Sequence, residues 1–207
     1  MNKLLSISNS KYFEYFILIA RFLLAITFIN YGYSKLTGGQ FGVTPEVMAT
    51  PLKEVSFFNL MWYLFDQEPL KSFVGIFQML CGLFLLYNRT VIIGVFFFIP
   101  IAANILLMDI TFMPKSLSIG FTRRFVWYFI LCGLILFHYR SQMKEMWNAI
   151  VTKMPTKFKF PLWWLIFVPV HAFILEFFPA IPLLIIELIT NPKEMLDYFT
   201  SILQKLV

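Results

Sequence analysis

The sequence predicts an all-α membrane protein, a polytopic helical bundle with a four-helix core and an additional C-terminal hydrophobic helical segment. Of the 207 residues, 59% are hydrophobic and 14% are charged, which is more apolar surface than a soluble domain of this size needs. Several apolar stretches also reach the roughly 20 helical residues that cross a hydrocarbon layer of about 30 Å. Helices are expected because lipid offers no solvent to unpaired backbone groups, and the alternating strands of a membrane barrel are missing from the sequence.

Four predicted spans make up the core. They cover approximately residues 13–33, 70–87, 90–108 and 123–137. Between the first two spans, the aromatic run "FFNLMWYLF" is too short to cross and is expected to form an interfacial or re-entrant helix. Residues 109–120 contain a proline and small residues, so a loop is expected there.

The C-terminal part departs from this pattern. The stretch "SQMKEMWNAIVTKMPTKFKF" is basic and amphipathic, as is typical of a surface helix on an anionic leaflet. Residues 161–190 are apolar but interrupted by Pro169, Pro179 and Pro182, which fits either one kinked span or two half-helices. The tail that follows is expected to lie at an interface. Two parts are therefore predicted: residues 1–145 as the four-helix membrane core, and residues 146–207 as loop helix, proline-interrupted span and interfacial helix.

Charge, cysteine count and motifs exclude several classes of function. The 17 basic residues are scattered along span ends and loops, which suits membrane orientation and headgroup contact rather than nucleic-acid binding. Two cysteines, Cys81 and Cys132, exclude a disulfide scaffold. The sequence has no nucleotide-binding loop, nucleophile elbow or zinc motif, and its two histidines form no recognisable metal site. Whether the chain is an enzyme stays undecided from these patterns.

A ten-residue pattern occurs twice: "LCGLFLLYNR" at residues 80–89 returns 51 positions later as "LCGLILFHYR". If spans alternate in direction, the second and fourth run the same way, so Arg89 and Arg140 emerge on one face together with the N-terminus. Basic residues cluster in the short loops of that face, which predicts a cytoplasmic N-terminus. Each cysteine lies about 12 Å below that face. The favoured interpretation is that Cys-Gly lets helices pack closely, and a redox pair is the alternative.

Polar side chains inside spans are costly and are therefore candidates for function. Arg21 either pairs with headgroups or a neighbouring helix, or binds an anionic or quinone-like head group. The helical rise predicts that polar residues from four spans share one layer, which serves either as hydrogen-bonded contact between helices or as a ligand pocket. This layer comprises Asn30, Tyr31, Gln78, Asn104 and Tyr128.

Two residues of the proline-interrupted segment suggest a further alternative. His171 and Glu176 are titratable groups on one predicted helix and could form a proton relay. Local hydrogen bonds or exposure at the interface are the simpler interpretation of both residues.

Four stretches make the chain resemble the DoxX-like membrane protein family over about residues 15–145: "RFLLAITFINYGYSKLTGGQFG", "PLKEVSFFNLMWYLF", "GIFQMLCGLFLLYNRT" and "IPIAANILLMDITFMPKSLS". In that family, a first helix with Arg and a terminal Gly-x-x-Lys precedes a Gly-rich stretch. A helix ending in Arg-Thr follows, and then a third helix with a polar residue before an acidic turn. The matching positions here are Arg21, Gly32, Lys35, Gln78, Gly82, Arg89, Asn104 and Asp109.

The resemblance implies a four-helix membrane core and a bacterial inner (cytoplasmic) membrane location. The family name derives from a subunit of a thiosulfate–quinone oxidoreductase. The expected function is that of a non-catalytic accessory or assembly subunit which binds lipid or quinone in the polar layer. The alternatives are a membrane component of a quinone-linked oxidoreductase and a small transporter or proton pathway. No cofactor is evident from the sequence, and a quinone is the one candidate. The expected surroundings are the lipid bilayer, with a membrane-protein partner or a second copy of the chain also left open.

Overall fold

The computed structural model describes residues 10–152, 161–193, 200 and 204, and all regular structure within these residues is helical. The chain divides into two compact units, Met1–Met154 and Pro155–Val207. Among the described residues, four helical segments are long and apolar enough to cross a membrane. The predicted fold class, an all-α membrane bundle, is therefore confirmed.

The described residues of the first unit form seven α-helices and, at residues Asn148–Thr152, a π-helical turn. The α-helices are α1 (Lys11–Leu36), α2 (Pro45–Met48), α3 (Phe57–Phe65), α4 (Leu70–Leu86), α5 (Val91–Phe112), α6 (Lys115–His138) and α7 (Arg140–Trp147). Helices α1, α5 and α6 are each long enough to span a membrane. Helix α4 is joined to α3 at an angle of 81°, so that the pair forms a broken span or a re-entrant element. An ion pair between Lys71 Nζ and Asp66 Oδ1, 2.9 Å long, lies at this bend.

The prediction of a loop over residues 109–120 was wrong. Helix α5 continues to Phe112 and α6 begins at Lys115, so only Met113 and Pro114 connect them. The physical reason is that a proline holds the preceding residue in extended conformation, here Met113 with ψ of 151°, and then precedes a new helix without breaking it. Consequently, α6 starts eight residues before the predicted fourth span.

Helices α1 and α4 pack backbone to backbone through glycines. A Cβ atom added to Gly32 would lie 2.5 Å from the carbonyl oxygen of Gly75, and one added to Gly82 would lie 2.7 Å from that of Ala25. Close approach of this kind is how membrane helices gain packing contacts where the surrounding lipid is as apolar as their side chains.

Aromatic and aliphatic side chains fill the centre of the bundle. The Phe28 and Phe98 rings stack with centroids 3.9 Å apart, and both Cys81 and Cys132 are buried in the same cluster. Large apolar side chains such as Leu18 and Phe22 are exposed on the outer surface. In a bundle of this composition these outward side chains are in contact with acyl chains.

Contacts between helix ends define two ends of the first unit. At the end that we call the Arg21 end, Arg21 of α1 bonds the last carbonyls of α4 and the Tyr139 hydroxyl, and Phe13 contacts His138. The start of α1 and the ends of α4 and α6 therefore lie together. At the other end, called the Lys35 end, the last turn of α1 meets the start of α4 and the last turns of α5.

The described residues of the second unit include a helical run of 29 residues, Leu162–Thr190, which is long enough to cross a membrane. It consists of a 3-10 turn, α8 (Val168–Phe177), a second 3-10 turn and α9 (Ile181–Thr190). Its three prolines each lie at the first or second position of a segment, where the missing N–H is least disruptive. The stretch predicted to be a surface helix, residues 141–160, is helical over its described residues, in α7 and in the π-helical turn Asn148–Thr152 of the first unit. Its residues 153–160 lie outside the described residues, and so does most of the tail after residue 193, for which an interfacial position was expected.

Candidate functional site

A cavity of about 490 Å³ lies at the Lys35 end of the first unit. We call it the Lys35 cavity. Its walls come from the last turn of α1, the following loop, α3, the first half of α4 and the second half of α5. Its polar lining residues are Lys35, Gln40, Trp62, Asn104 and Asp109, and its apolar walls include Phe41, Met61, Phe65, Phe73, Phe77, Phe97 and Met108.

The cavity follows from the way α4 and α5 pack. Near the turn that joins them, a Cβ atom on Gly94 would lie 2.8 Å from the backbone nitrogen of Leu85, and Cys81 Sγ donates a hydrogen bond to the Gly94 carbonyl at 3.4 Å. Further from this turn, the cavity separates the two helices. Pro100 lies inside α5 at the cavity wall and has no N–H to donate to the preceding turn, a common cause of helix bending.

Lys35 provides a buried cation, with 4% of the residue exposed. Its ammonium donates a hydrogen bond to Gln40 Oε1 at 2.8 Å. Gln40 reaches it because the chain folds back after α1, with the Gly39 and Gln40 amides both donating to the Ser34 carbonyl at 2.8 and 3.2 Å. The ammonium also lies 5.1 Å from the centre of the Phe41 ring, within range of a cation–π interaction.

Phe41 holds this loop over the lysine in a strained conformation. Its φ of 74° lies in the left-handed region, which costs a bulky side chain roughly 1–2 kcal/mol. The Phe41 ring contacts Trp62 and Phe65 at centroid distances of 5.8 and 5.6 Å, and the Gly42 amide donates to the Trp62 carbonyl at 3.2 Å. Aromatic packing against α3 therefore maintains a backbone conformation of Phe41 that the loop by itself would not favour.

Asp109 supplies an opposite charge from α5, and 5% of this residue is exposed. It interacts electrostatically with Lys35, but within the described ranges the ion pairs are Lys53–Glu54 and Lys71–Asp66, and Lys35 and Asp109 do not form one. The indole N–H of Trp62 is buried and has no hydrogen-bond acceptor among the residues that the structure describes. The cavity thus offers both a cation and a carboxylate beside apolar walls, an arrangement suited to an amphipathic ligand.

The structure distributes the predicted ligand-binding residues over several places. Asn104 lines the Lys35 cavity, together with the motif residues Lys35 and Asp109. Arg21 lies at the opposite end, where Nε donates to the Leu85 carbonyl at 3.0 Å and Nη2 to the Leu86 carbonyl at 2.9 Å. Arg21 therefore pairs with a neighbouring helix, which is one of the alternatives expected for it, and caps the end of α4.

The other predicted layer residues lie outside the cavity lining. Gln78 is fully buried, and in the described part of the chain neither its amide oxygen nor its amide nitrogen has a hydrogen-bond partner. The Tyr128 ring packs on Phe98 and Phe125, and the Tyr31 hydroxyl accepts a hydrogen bond from Arg124 at 2.9 Å. Asn30 is exposed.

The remaining predicted residues serve packing or lie at the surface. Gly32 and Gly82 provide the close contact between α1 and α4, and Arg89 is exposed after the end of α4. In the second unit, His171 and Glu176 are both exposed, and His171 Nδ1 lies 2.8 Å from the Phe167 carbonyl oxygen. His171 thus makes the local hydrogen bond that was the simpler interpretation of this residue.

Sequence reasoning missed Gln40, Phe41 and Trp62 as site residues. One signal could have found the first two: the stretch "GGQFG" directly after the lysine, where Gly38 and Gly42 adopt positive φ values of 75° and 83° on either side. Glycines at such spacing predict a chain reversal. That reversal returns Gln40 and Phe41 to Lys35.

The fold and the cavity together define a polytopic α-helical membrane protein with an amphipathic cavity between its helices. Comparison with known proteins adds one similarity. The chain is 37% identical over 94 residues to "Uncharacterized protein YwoB" of Bacillus subtilis (strain 168), which is 44% of this chain and 59% of YwoB. The chain thus covers less than two thirds of that relative. No family model matches the chain, and no solved structure matches it.

Proposed function

We propose that the chain is a DoxX-like integral membrane protein that acts as a non-catalytic accessory or assembly subunit and binds a membrane amphiphile, a lipid or a quinone, in the Lys35 cavity. The supporting observation is the composition of that cavity: a buried ammonium and a carboxylate next to aromatic walls, in a volume of about 490 Å³. Small-molecule pockets are typically mostly apolar cavities of roughly 300–1,000 Å³ with a few fixed polar groups.

The chemistry of the cavity suits both parts of an amphiphile. Lys35, Trp62 and Asn104 can donate hydrogen bonds to a carbonyl or phosphate oxygen, and Asp109 can accept them. The Phe73, Phe77 and Phe97 side chains offer apolar contact to a tail. This set of residues accommodates a quinone ring as well as a lipid head, since both present oxygen acceptors at the end of an apolar chain.

The membrane orientation is part of the proposal. Arg89, Arg140 and Lys144 follow the ends of α4 and α6 at the Arg21 end, and basic residues in short loops favour the cytoplasmic side of an inner membrane. The Lys35 end then faces the opposite side. A cysteine introduced at Gly38 should react with a membrane-impermeant maleimide on intact cells, and one introduced at Arg89 should react only after lysis. The reverse pattern would contradict this orientation.

The proposed binding is tested by identifying what the protein retains. The full chain is purified in a mild detergent, and co-purifying small molecules are extracted and identified by mass spectrometry. We expect one amphiphile per chain from the wild type and a clearly lower retained amount from Asn104→Leu, whose affinity should fall at least tenfold, which corresponds to about 1.4 kcal/mol.

Asn30→Leu provides the matched control. Both asparagines are exposed residues of spanning helices, but only Asn104 lines the cavity. Asn30→Leu should therefore retain the ligand at the wild-type level. A folded wild-type protein without any bound amphiphile, or an equal loss in both variants, would overturn the proposal.

A further inference from the structure

We infer that the Lys35 cavity selects a glycerophospholipid whose head joins a primary ammonium to a phosphate diester, and that this lipid enters sideways between α4 and α5. The inference deepens the proposed function and rests on it. It goes further by naming the class of ligand and its route of entry.

The first argument is the unpaired state of two opposite charges in one cavity. Among the described side chains, Lys35 is hydrogen-bonded to the neutral amide of Gln40, and Asp109 forms no ion pair. A buried charge is costly unless it is paired and hydrogen-bonded. A neutral head would leave each charge with only its longer-range attraction to the other, and an anionic head would compensate Lys35 but repel Asp109. A zwitterionic head compensates both.

The second argument concerns the anionic part of that head. The Trp62 indole N–H is buried without an acceptor and lines the same cavity as the Lys35 ammonium. Burying a donor without a partner costs roughly 1–3 kcal/mol of desolvation free energy, so a ligand that places an acceptor here is favoured. A phosphate diester presents two charged oxygens and can accept from both the ammonium and the indole.

The third argument distinguishes a primary from a quaternary ammonium. Quaternary ammonium groups are recognised by aromatic cages. The aromatic rings of this cavity come mostly from the loop after α1, from α3 and from α4, whereas the last turns of α5 before Asp109 contribute Asn104, Ile105 and Met108. A carboxylate and an amide oxygen are hydrogen-bond acceptors. A primary ammonium donates hydrogen bonds to such acceptors, whereas a trimethylated one has no N–H to donate.

The fourth argument favours a lipid over a soluble zwitterion. Phe73 and Phe77 of α4 and Phe97 of α5 line the cavity and also have 58%, 42% and 45% of their surface exposed on the lipid-facing part of the bundle. The gap between α4 and α5 is therefore continuous with the acyl phase. Acyl chains can leave through it while the head remains at Lys35 and Asp109.

The test is competition for the full-length protein in detergent, followed by native mass spectrometry. Phosphatidylethanolamine, phosphatidylcholine, phosphatidylglycerol and ubiquinone are offered at equal concentration. We expect phosphatidylethanolamine to be retained at least tenfold over phosphatidylcholine and phosphatidylglycerol. Free O-phosphoethanolamine should not displace it, and displacement would assign the site to a soluble zwitterion instead.

Two near-isosteric variants test the role of each charge. Asp109→Asn should reduce the preference for phosphatidylethanolamine over phosphatidylglycerol by at least tenfold, while Lys35→Met should weaken the binding of both lipids. Asn30→Leu serves as the control and should leave all ratios unchanged. If Asp109→Asn does not yield folded protein, the preference of the wild type for phosphatidylethanolamine over phosphatidylcholine tests the inference by itself.

The outcomes separate this inference from the proposed function. A preference for phosphatidylglycerol or phosphatidylcholine, or retention of ubiquinone without a phospholipid preference, overturns the inference and leaves amphiphile binding intact. Retention of none of the four molecules overturns both.

Discussion

The two copies of the repeated pattern, residues 80–89 and 131–140, share six of ten residues but have different surroundings. In the first copy, a Cβ atom on Gly82 would lie 2.7 Å from the Ala25 carbonyl oxygen and 2.6 Å from Ile29. In the second copy, a Cβ atom on Gly133 would meet no atom of the described residues within 4 Å. The same glycine is therefore required by packing in one helix and not in the other, because only the first has another backbone against it.

The helix ends show a second difference. The Leu86 carbonyl accepts a hydrogen bond from Arg21, which belongs to another helix. The carbonyl at the equivalent position of the second copy, Phe137, accepts one from Arg140, the arginine that ends its own repeat, at 3.0 Å. Arg89, the equivalent arginine of the first copy, is exposed. The last carbonyls of a helix need donors, and each copy obtains one from a different part of the chain.

The largest expected effect comes from removing the donor that one helix supplies to another. Arg21→Met leaves the Leu85 and Leu86 carbonyls without their charged partner, and we expect it to lower the free energy of unfolding by about 3 kcal/mol, since hydrogen bonds to charged groups contribute roughly 1.5–3 kcal/mol each. Unfolding in mixed dodecyl maltoside and SDS micelles, followed by circular dichroism, measures this.

Arg140→Met is the control for that experiment. The bond from Arg140 to the Phe137 carbonyl is exposed, so the loss of this bond should contribute less than about 1 kcal/mol. Equal losses in the two variants would mean that the copies are capped with equal strength and that burial does not separate them.

An intermediate effect is expected from the two glycines. Gly82→Ala forces α1 and α4 apart because the contacted atom is backbone, and overpacking of this kind costs about 1–3 kcal/mol. Gly133→Ala should be neutral or stabilising by up to about 1 kcal/mol, because alanine is the better helix former. The same micelle titration measures both, and a Gly133→Ala variant as unstable as Gly82→Ala would indicate that a second copy or a partner packs on Gly133.

Composition and span length were sufficient to predict the fold class, whereas the surroundings of individual residues depend on which way each helix face points. The helical rise gives the depth of a residue in the membrane but not its direction around the helix axis. Depth therefore placed Asn30 and Asn104 in one layer, although only Asn104 lines the cavity. The motif residues Lys35 and Asp109 could be found from the sequence, but their common cavity depends on the close contact between α4 and α5 at Gly94.

The same limit applies to the repeat. The two Leu-Cys-Gly triplets are identical in sequence, and the difference between Gly82 and Gly133 arises from α1, which lies more than forty residues before either of them. The capping role of Arg21 likewise depends on a contact 64 residues away in the chain. The repeated sequence predicted that both copies end helices that run in the same direction. The difference between the two copies arises from their tertiary contacts.

The smallest expected effect concerns the two cysteines. Cys81 Sγ donates a hydrogen bond to the Gly94 carbonyl, so the hydroxyl of Cys81→Ser can keep that acceptor. Cys132 is buried in the apolar cluster, and within the described part of the chain it has no hydrogen bond to another helix. Cys132→Ser should therefore be less stable than Cys81→Ser by about 1 kcal/mol, the usual cost of a buried hydroxyl without a good partner. The midpoints of the same micelle titration decide this, and the opposite order would mean that the hydrogen bond to Gly94 contributes nothing to the contact between α4 and α5.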